Sequence, residues 1–496
     1  MDGAPGTILD GLERNAGRFA ERTALIHRDE RVSYAQLWQR VTAVASFLRG
    51  QGLQPGDRVA LILDSSPEYV AAYYGAMAAG CVAVPLNSAA KARDLDVWIK
   101  HSGARRVLTQ SSQPERSHLA TDGAAIHCLD SLAEAAESST AVSSKPSLTA
   151  PACILYTSGT TGAPKGVLLT HANLAANGAA IVRYLALTEQ DSIVCVLPFH
   201  YSYGSSVLHT HLLAGGCVII ETNLVYPHVV MEALARHRAS GFAGVPSTFA
   251  LLLSRVALEK YELSSLRYAT QAGGAMAPAL AQRLRQALPA TTRLFVMYGQ
   301  TEATARLTYL PPEDLERKPG SVGKALEGVS LEVRSEDGRR CEPLQGGEVW
   351  ARGPNVMAGY WNDAATTATV LREGWLRTGD MGYLDTEGYL FLAGRRSDMI
   401  KAGAHRIHPK DVEEAIQELE GVAEAAVVGI DDEILGQAIK AFVVPAPGHH
   451  LDPLRIKAHC RERLAQYKIP KYVELIERLP KTASGKIRRH ELVQEP

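Results

Sequence analysis

The chain has 496 residues, of which 46% are hydrophobic and 21% are charged, as is typical of globular proteins. Because domains usually hold about 100–200 residues, we expect three or four structural units rather than one core. The formal net charge of −1 and the isoelectric point near 7.0 exclude a strongly basic surface for nucleic acid or anionic lipid.

The seven cysteines are scattered along the chain and show no C-x-x-C spacing. This pattern predicts neither a disulfide framework nor a zinc site, and it fits a reducing compartment, so we expect a cytoplasmic protein. Residues 1–9 carry no basic region and no apolar core, and we expect no signal peptide. The longest charge-free stretch, 69–90, contains Gly75, Gly80 and Pro85, which predict a helix, a turn and a strand rather than a membrane span.

Alternating helices and strands are predicted for the first 110 residues. Two amphipathic helical patterns lie within residues 8–50, the second with Ser33 as its N-cap. Further predicted elements are a buried strand at 59–63, a helix at 68–79 and short strands at 81–86 and 107–109. This alternation indicates an α/β fold with a largely parallel sheet, whereas residues 110–151 are predicted to be surface connections.

The most distinctive stretch is Tyr156 to Gly166, Y-T-S-G-T-T-G-A-P-K-G, in which only Tyr156 and Lys165 have large side chains. Apolar runs at 153–155 and 167–169 flank this loop and are predicted to be buried strands. A glycine-rich backbone can aim several N–H groups at a polyanion, and Lys165 would add positive charge. The loop is not a Walker A motif, which needs Gly-Lys-Ser/Thr opening a helix, and a flexible surface hairpin is the simpler alternative.

Beyond this loop, Thr170 can cap a helix that begins near His171. The next predicted elements are a strand at 194–198, a helix at 207–213, a strand at 217–221, a helix–strand pair within 228–245 and a helix at 278–287. From residue 321, spaced glycines separate short strands, which predicts a small β subdomain or barrel. The C-terminal part predicts an α+β domain with elements at 409–419, 424–430, 438–444, 452–466 and 472–476.

Five further motifs follow the loop: QAGGA at 271–275, YGQTE at 298–302, WLRTGD at 375–380, GRRSDMIK at 394–401 and PKTASGK at 480–486. Each alone is a weak signal. Together, in this order and over nearly the whole chain, the six resemble the adenylate-forming (AMP-binding) superfamily of acyl- and aryl-CoA synthetases, peptide-synthetase adenylation domains and luciferases. The resemblance implies an α/β fold, with a large N-terminal domain of two α/β layers plus a β subdomain (1–395) and a small mobile α+β C-terminal domain (396–496).

The same resemblance implies an ATP-dependent and Mg²⁺-dependent reaction. In this family a carboxylate attacks the α-phosphate of ATP, which gives an acyl-adenylate and pyrophosphate, and an acceptor then displaces AMP. We therefore expect a ligase for a small-molecule carboxylic acid, with the thiol of CoA as the main expectation for the acceptor. Three alternatives stay open: direct transfer to an amine, loading of a separate carrier protein, and a catalytically silent binding protein. The presence of Lys165, Glu302, Asp380, Arg395 and Lys486 argues against the last.

The resemblance also implies which residues bind the phosphates. The β- and γ-phosphates would lie against Thr157, Ser158, Gly159, Thr160, Thr161, Gly162 and Lys165. Lys486 would contact the α-phosphate and the substrate carboxylate, because two anions react only beside fixed positive charge, although a solvated lysine is the bland alternative. Glu302 would bind Mg²⁺ and Thr301 would contact the α-phosphate, although an acid at this place also fits a helix N-terminus.

The remaining roles concern the nucleoside and the second step. Tyr298 would offer a flat face to adenine, Asp380 would accept from both ribose hydroxyls, and Arg395 would help to bind the ribose and the phosphate. Other nucleotide contacts would come from Gly273, Gly274, Ala275, Gly299 and Gln300. Lys401 matches a lysine that luciferases use in their second half-reaction, Gly403 lies on the expected pantetheine path, and Ser397 replaces the usual hinge Asp or Lys.

The run 197–204, L-P-F-H-Y-S-Y-G, matches a stretch that lines the acid pocket in the family. His200, Tyr201 and Tyr203 are the candidate lining residues, with 242–247 opposite, although His200 could equally be a packed core residue. Peptide-synthetase adenylation domains place an aspartate here to hold the substrate α-amine. This run has none, and Glu221 is the nearest acid, so we expect an apolar, aryl or cyclic acid without a required α-amine.

Overall fold

The computed structural model describes residues 6–129, 145–157, 164–395, 398–402, 405–432, 436–482 and 486–493. It confirms a mixed α/β fold with a large N-terminal and a small C-terminal domain. The elements up to residue 129 are α1 (Ile8–Arg18), β1 (Thr23–His27), β2 (Glu30–Ser33), α2 (Tyr34–Gly50), β3 (Arg58–Ile62), α3 (Pro67–Ala78), β4 (Val82–Pro85), α4 (Ala92–Ser102), β5 (Ala104–Thr109) and β6 (Ala125–Cys128).

The middle of the chain continues the alternation of strands and helices. Its elements are β7 (Pro151–Thr157), β8 (Lys165–Thr170), α5 (His171–Tyr184), β9 (Ser192–Cys195), α6 (Ser202–Ala214), β10 (Cys217–Ile220), α7 (Pro227–Arg236), β11 (Gly241–Gly244), α8 (Pro246–Arg255), β12 (Tyr268–Gln271), α9 (Pro278–Ala287), β13 (Arg293–Tyr298) and β14 (Thr308–Leu310). The two strands predicted on either side of the glycine-rich loop are confirmed as β7 and β8, which pair antiparallel.

The last third is richer in antiparallel strands. Its elements are β15 (Ser321–Ala325), β16 (Ser330–Arg334), β17 (Gly347–Arg352), β18 (Gly359–Tyr360), α10 (Ala364–Val370), β19 (Leu371–Arg372), β20 (Trp375–Leu384), β21 (Leu390–Arg395), β22 (Ile400–Ala402), β23 (His405–Ile407), α11 (Pro409–Gln417), β24 (Val422–Asp432), β25 (Gly436–Pro445), α12 (Pro453–Arg463), β26 (Tyr472–Leu475) and α13 (Arg489–Val493). The predicted C-terminal α+β pattern is confirmed.

Two sheets form the layers of the N-terminal domain. One has the strand order β18-β8-β7-β4-β3-β5-β6, and the other runs β16-β17-β20-β21-β15-β14-β13-β12-β11-β9-β10-β1-β2. The short strands predicted after residue 321 are present, and β15 pairs with both β14 and β21, which makes these strands continuous with the second sheet. The C-terminal sheet has the order β23-β22-β25-β24, with β26 beside β25.

Local sequence rules account for the predicted helix starts. Ser33 and Thr170 both form capping boxes, with the residues three positions later, Gln36 and Asn173. The strands β1, β2 and β6 were not predicted, because β1 depends on pairing with the distant β10 and β6 on pairing with β5. The helix predicted at 207–213 begins earlier, at Ser202, and the strand predicted at 194–198 ends at Cys195.

The buried apolar side chains form separate cores in the two domains. The largest cluster includes Leu12, Tyr74 and Leu390, and it draws only on residues before 400. A second cluster includes Ile407 and Ile456 and belongs to the C-terminal domain. No helix in the described part of the chain combines the length and apolar character that crossing a bilayer requires.

Candidate active site

A cavity of about 2500 Å³ lies where β7, β12 and β13 end, and the C-terminal domain closes one side of it. It brings together the predicted residues Thr157, Lys165, His200, Tyr201, Gly273, Gly274, Ala275, Tyr298, Gly299, Gln300, Thr301, Glu302, Asp380, Arg395 and Lys486. Ser158, Gly159, Thr160, Thr161, Gly162, Ser397, Gly403 and the side chain of Lys401 lie outside the described residues. The carboxyl ends of parallel strands are where α/β proteins bind ligands.

The two strand ends that flank the glycine-rich loop are paired with each other. Thr157 at the end of β7 pairs with Lys165 at the start of β8, so both ends of the loop leave the sheet together. The Tyr156 hydroxyl lies 2.8 Å from Nδ1 of His101 and donates to the carbonyl of Trp98 at 3.2 Å. These bonds anchor the base of the loop to α4.

Glu302 lies in a short 3₁₀ turn directly after β13. Its Oε1 accepts a hydrogen bond of 2.8 Å from the hydroxyl of Tyr360, and burial together with this carboxylate raises the pKa of Tyr360. The turn is very tight, because a Cβ on Gly299 would lie 2.1 Å from the carbonyl oxygen of Ala305. Glycine is therefore required at position 299 for the turn to close.

Asp380 on β20 is buried and accepts from two predicted partners. The hydroxyl of Tyr298 donates to one carboxylate oxygen at 2.6 Å, and Nε of Arg395 lies 2.7 Å from the other. Burial raises the pKa of Asp380, while Arg395 and Tyr298 oppose that rise. A carboxylate has about four acceptor positions, so Asp380 keeps capacity for further donors.

Lys486 is the contribution of the C-terminal domain to the cavity. Its backbone N–H donates to Oγ1 of Thr482, and its carbonyl oxygen accepts from the backbone N–H of Thr482. The side chain is open to the water of the cleft but surrounded by protein, and this burial, together with Arg395, lowers its pKa against the opposing pull of Glu302 and Asp380. Lys486 therefore lies near Asp380 and Glu302, the two carboxylates that also bind Tyr298, Arg395 and Tyr360.

The structure adds polar cavity residues whose roles the sequence analysis did not predict. Tyr360 lies in β18, which pairs with β8, and Lys165 Nζ is 5.9 Å from its ring centroid. Gln271 lines the cavity with its Oε1 buried and without a hydrogen-bond partner, and its Nε2 donates to the carbonyl of Gly274. Gln271 is the first residue of the QAGGA motif at 271–275, so the sequence offered a signal for it. Tyr360 lies in none of the six motifs.

Two of the three residues predicted to line the acid pocket lie at the cavity. His200 and Tyr201 line the cavity with ring centroids 4.2 Å apart, and burial lowers the pKa of His200 to about 4. Its Nε2 is buried without a hydrogen-bond partner. Glu221 does not line the cavity, and its carboxylate instead accepts from the backbone of Asn223.

Tyr203 does not face this cavity, contrary to the prediction. It is the second residue of α6, and its hydroxyl donates to the carbonyl of Thr270 at 2.9 Å on the other side of the helix start. Tyr201 precedes the helix, and residues two positions apart at a helix start point in different directions. Tyr201 therefore faces the cleft, whereas Tyr203 faces the protein interior.

One face of α8 forms the opposite wall. Ser247, Ala250, Leu251 and Ser254 line the cavity, and they follow the i, i+3, i+4, i+7 spacing of a single helix face. Thr248, Phe249 and Leu252 point the other way and are buried. The predicted run 242–247 reaches this wall only at its end, because residues 242–244 belong to β11 and Val245 caps the helix.

Comparison with known proteins identifies the family. Residues 12–361 match the AMP-binding enzyme family, and residues 411–486 match the AMP-binding enzyme C-terminal domain. The chain is 31% identical to a long-chain-fatty-acid–CoA ligase of Bacillus subtilis (strain 168), over 99% of this chain and 94% of that protein. It is 35% identical to a feruloyl-CoA synthase of Amycolatopsis sp, over 97% of each.

A solved structure agrees over the full length. The o-succinylbenzoate CoA synthetase MenE of Bacillus subtilis, in complex with its acyl-adenylate intermediate, superposes with a TM-score of 0.88 at 31% identity, over 98% of both chains. The same enzyme has been solved with ATP and a magnesium ion. This chain therefore belongs to the AMP-binding enzymes, and it is an ATP-dependent, AMP-forming acid ligase.

Proposed function

We propose that the enzyme activates an apolar, aryl or cyclic carboxylic acid as its acyl-adenylate and transfers the acyl group to the thiol of CoA. The observation that carries this proposal is one cavity that joins Lys486, Glu302 and Asp380 to the neutral residues His200 and Tyr201 and to Ser247, Ala250, Leu251 and Ser254 of α8. The pocket wall combines the uncharged imidazole of His200 with the face of α8, which suits an uncharged acyl body.

In the first step, a carboxylate oxygen of the acid attacks the α-phosphorus of ATP, and the bond from that phosphorus to the bridging oxygen breaks. Pyrophosphate leaves with the electron pair of that bond. Both reactants are anions, so charge must be stabilised in advance. Lys486 would supply it at the α-phosphate with Thr301 beside it, and Lys165 would supply it at the outer phosphates, together with Thr157 and the loop residues 158–162.

The residues present also fit a magnesium ion. Mg²⁺ is usually held by one or two carboxylates together with phosphate oxygens and water, and Glu302 would be its protein ligand. No cluster of three or more metal-binding side chains occurs in the described residues, which agrees with such a sparsely ligated ion. When bound, the ion would neutralise charge on the phosphates, while Tyr360 holds the Glu302 carboxylate in place.

The nucleoside would bind on the same side of the cleft. Asp380 would accept from the ribose hydroxyls, and Arg395 and Tyr298 hold its carboxylate in position. The unpartnered Oε1 of Gln271 is a buried acceptor that the adenine amino group could satisfy. Adenine would lie among Tyr298, the residues 299–300 and the small residues 273–275.

For the second step, we propose that the C-terminal domain, residues 396–496, rotates against residues 1–395 about Ser397. The described arrangement places Lys486 at the cleft, as the first step requires. Lys401 and Gly403 would serve the transfer step after rotation, since one orientation rarely brings two distant loops into one pocket. Free cysteines at all seven positions favour a reducing compartment, and we place the enzyme in the cytoplasm.

The deciding experiment is a pyrophosphate-release screen over carboxylic acids, repeated with CoA, with amines and with carrier protein, and followed by product mass. We expect release with aryl, cyclic or apolar acids and a thioester with CoA. Amide products, or acyl carrier protein without acyl-CoA, would instead support the other two acceptors. Absence of pyrophosphate release with every acid class would contradict the proposal.

A further inference from the structure

Arg306 lies beneath the cleft and is the largest fully buried side chain, with 2% of its surface exposed. Its guanidinium makes two long contacts of 3.5 Å, to the carbonyl oxygen of Ala305 and to Oγ of Ser206. Its Nε is buried without a hydrogen-bond partner. No carboxylate among the described residues pairs with it, although a guanidinium offers five N–H donors and carries a full charge.

The nearest compensation comes from aromatic rings. The guanidinium carbon lies 4.7 Å from the ring centroid of Tyr203, and Arg306 also acts on the Tyr184 hydroxyl through its charge and a side-chain hydrogen bond. A ring face attracts a cation but bears no net charge. Burying an ion without a counter-charge is far more costly than this attraction returns, so buried charges in proteins are paired.

A small cavity adjoins the guanidinium. Its volume is about 10 Å³, which is enough for a single atom or water molecule. Its polar lining consists of Arg306, Tyr184, Tyr203, Ser206, Thr210, His211 and Thr270, and none of these side chains is acidic. Burial lowers the pKa of His211 to about 4, so its imidazole is neutral and leaves Arg306 as the charge of the cavity.

We propose that this cavity binds one small monovalent anion of the size of chloride. The anion would accept from Arg306 and neutralise it, which a water molecule could not do. The hydroxyls of Ser206 and Thr210 now donate to carbonyls of their own helix, and each can rotate toward the cavity. Halides accept several hydrogen bonds from such mixed N–H and O–H donors.

The bound anion would connect two parts of the active site. Ser206 and Thr210 belong to α6, whose start carries the pocket residue Tyr201, whereas Arg306 follows the turn that carries Glu302. The backbone of Arg306 is already fixed, because its carbonyl accepts from the side chains of Asn177 and Asn355. The anion would thus stabilise the contact between the acid-pocket helix and the metal-binding turn.

Thermal unfolding of the intact enzyme tests this proposal. Purified protein is freed of halide and titrated with sodium bromide or chloride, with sodium acetate keeping the ionic strength constant. A specific site raises Tm by about 1–2 °C for each tenfold rise of halide above its Kd. Arg306→Met should abolish that rise, while Arg183→Met, which removes an exposed arginine, should leave it unchanged.

A crystal soaked in sodium bromide supplies a readout that does not depend on a variant folding. We expect one anomalous bromine peak beside the Arg306 guanidinium. No peak, together with a halide response equal in all three proteins, would show that the cavity holds only water. Competition between bromide and the acid substrate would also overturn the proposal, because it would assign Arg306 to the acid itself.

Discussion

The nucleotide side and the acid side of the cleft differ in how their polar groups are satisfied. On the nucleotide side, Tyr298, Arg395 and Tyr360 hold the carboxylates of Asp380 and Glu302 through short hydrogen bonds and an ion pair. On the acid side, His200 has an unpartnered nitrogen and a neutral ring beside the exposed face of α8. The hydrogen-bonded carboxylates thus lie on the side that we assign to the nucleotide, whereas the acid side that we propose combines the neutral His200 with the small and apolar residues Ala250 and Leu251 of α8, and Arg255 at the end of that helix is the charged residue of α8 at the cavity.

This difference separates chemistry from selectivity. Charge stabilisation at a phosphate needs groups that are positioned before the reaction, and their hydrogen-bonded partners provide that. Recognition of an apolar acid rests on shape, where one methylene changes discrimination by about 1–3 kcal/mol. We therefore expect large effects from changes on the nucleotide side and smaller, substrate-dependent effects on the acid side.

The largest effect should come from Lys486→Ala. Loss of the charge at the α-phosphate should reduce acyl-adenylate formation by about 100-fold or more, while transfer from supplied acyl-adenylate stays largely intact. ATP–pyrophosphate exchange measures the first step and thioester formation the second. Lys471→Ala, which removes an exposed lysine paired with Asp432, serves as the control. Normal exchange in the Lys486 variant would remove this residue from the mechanism.

An α-amine on the substrate should be the next most damaging change. The pocket run 199–204 and the lining residues of α8 include no carboxylate, and Glu221 does not line the cavity, so an α-ammonium would find no acid on these segments. We expect α-amino acids to release pyrophosphate at least about 100-fold more slowly than the same acids without the amine. Faster turnover of any amino acid than of its deaminated counterpart would show that the acid side contains a charge.

Tyr360→Phe should have an intermediate effect through Glu302. Removing the hydroxyl frees the carboxylate to rotate, and lost partners of metal ligands typically weaken metal affinity by about 10-fold or more. Titration of Mn²⁺ in the presence of a non-hydrolysable ATP analogue, followed by electron paramagnetic resonance, measures this directly. Tyr383→Phe removes a tyrosine hydroxyl outside the cleft and should bind like wild type. An unchanged Mn²⁺ affinity in the Tyr360 variant would show that the Tyr360 hydroxyl does not position Glu302.

The smallest effect should be that of pH on the acid side. With a pKa of about 4, His200 is neutral from pH 6 to 8, so the KM for the acid should vary by less than about 2-fold across that range. The pKa is lowered on folding, so protonation favours the unfolded chain and stability falls between about pH 6.5 and 4. His200→Gln should make urea unfolding less sensitive to pH in that window. An equal slope in both proteins would contradict a buried neutral histidine.

Most of the fold could be predicted because its signals are local. The strands around the loop are short apolar runs, and the capping residues Ser33 and Thr170 stand next to the helices that they begin. The strands β1 and β6 depend on distant partners, and no local pattern reveals such pairing. The joined second sheet was missed for the same reason.

Site residues could be predicted from the sequence when they belong to one of the motifs. Asp380, Glu302 and Lys486 meet in one cavity although they come from three motifs. Tyr360 was missed because its contact with Glu302 arises only when β18 adds to β8. Tyr203 was misplaced because a run of aromatic residues does not show where a helix begins, and no sequence pattern singled out Arg306.

The face of α8 that lines the cavity, which we assign to the acid, has a consequence for engineering. Because Ser247, Ala250, Leu251 and Ser254 lie on one short helix, whose opposite face packs into the core, side chains can be exchanged there without disturbing a phosphate-binding group. A combinatorial library confined to these four positions would sample pocket size and depth as one module. The adenylation chemistry would be carried unchanged into every member, so such a library would explore substrate scope alone.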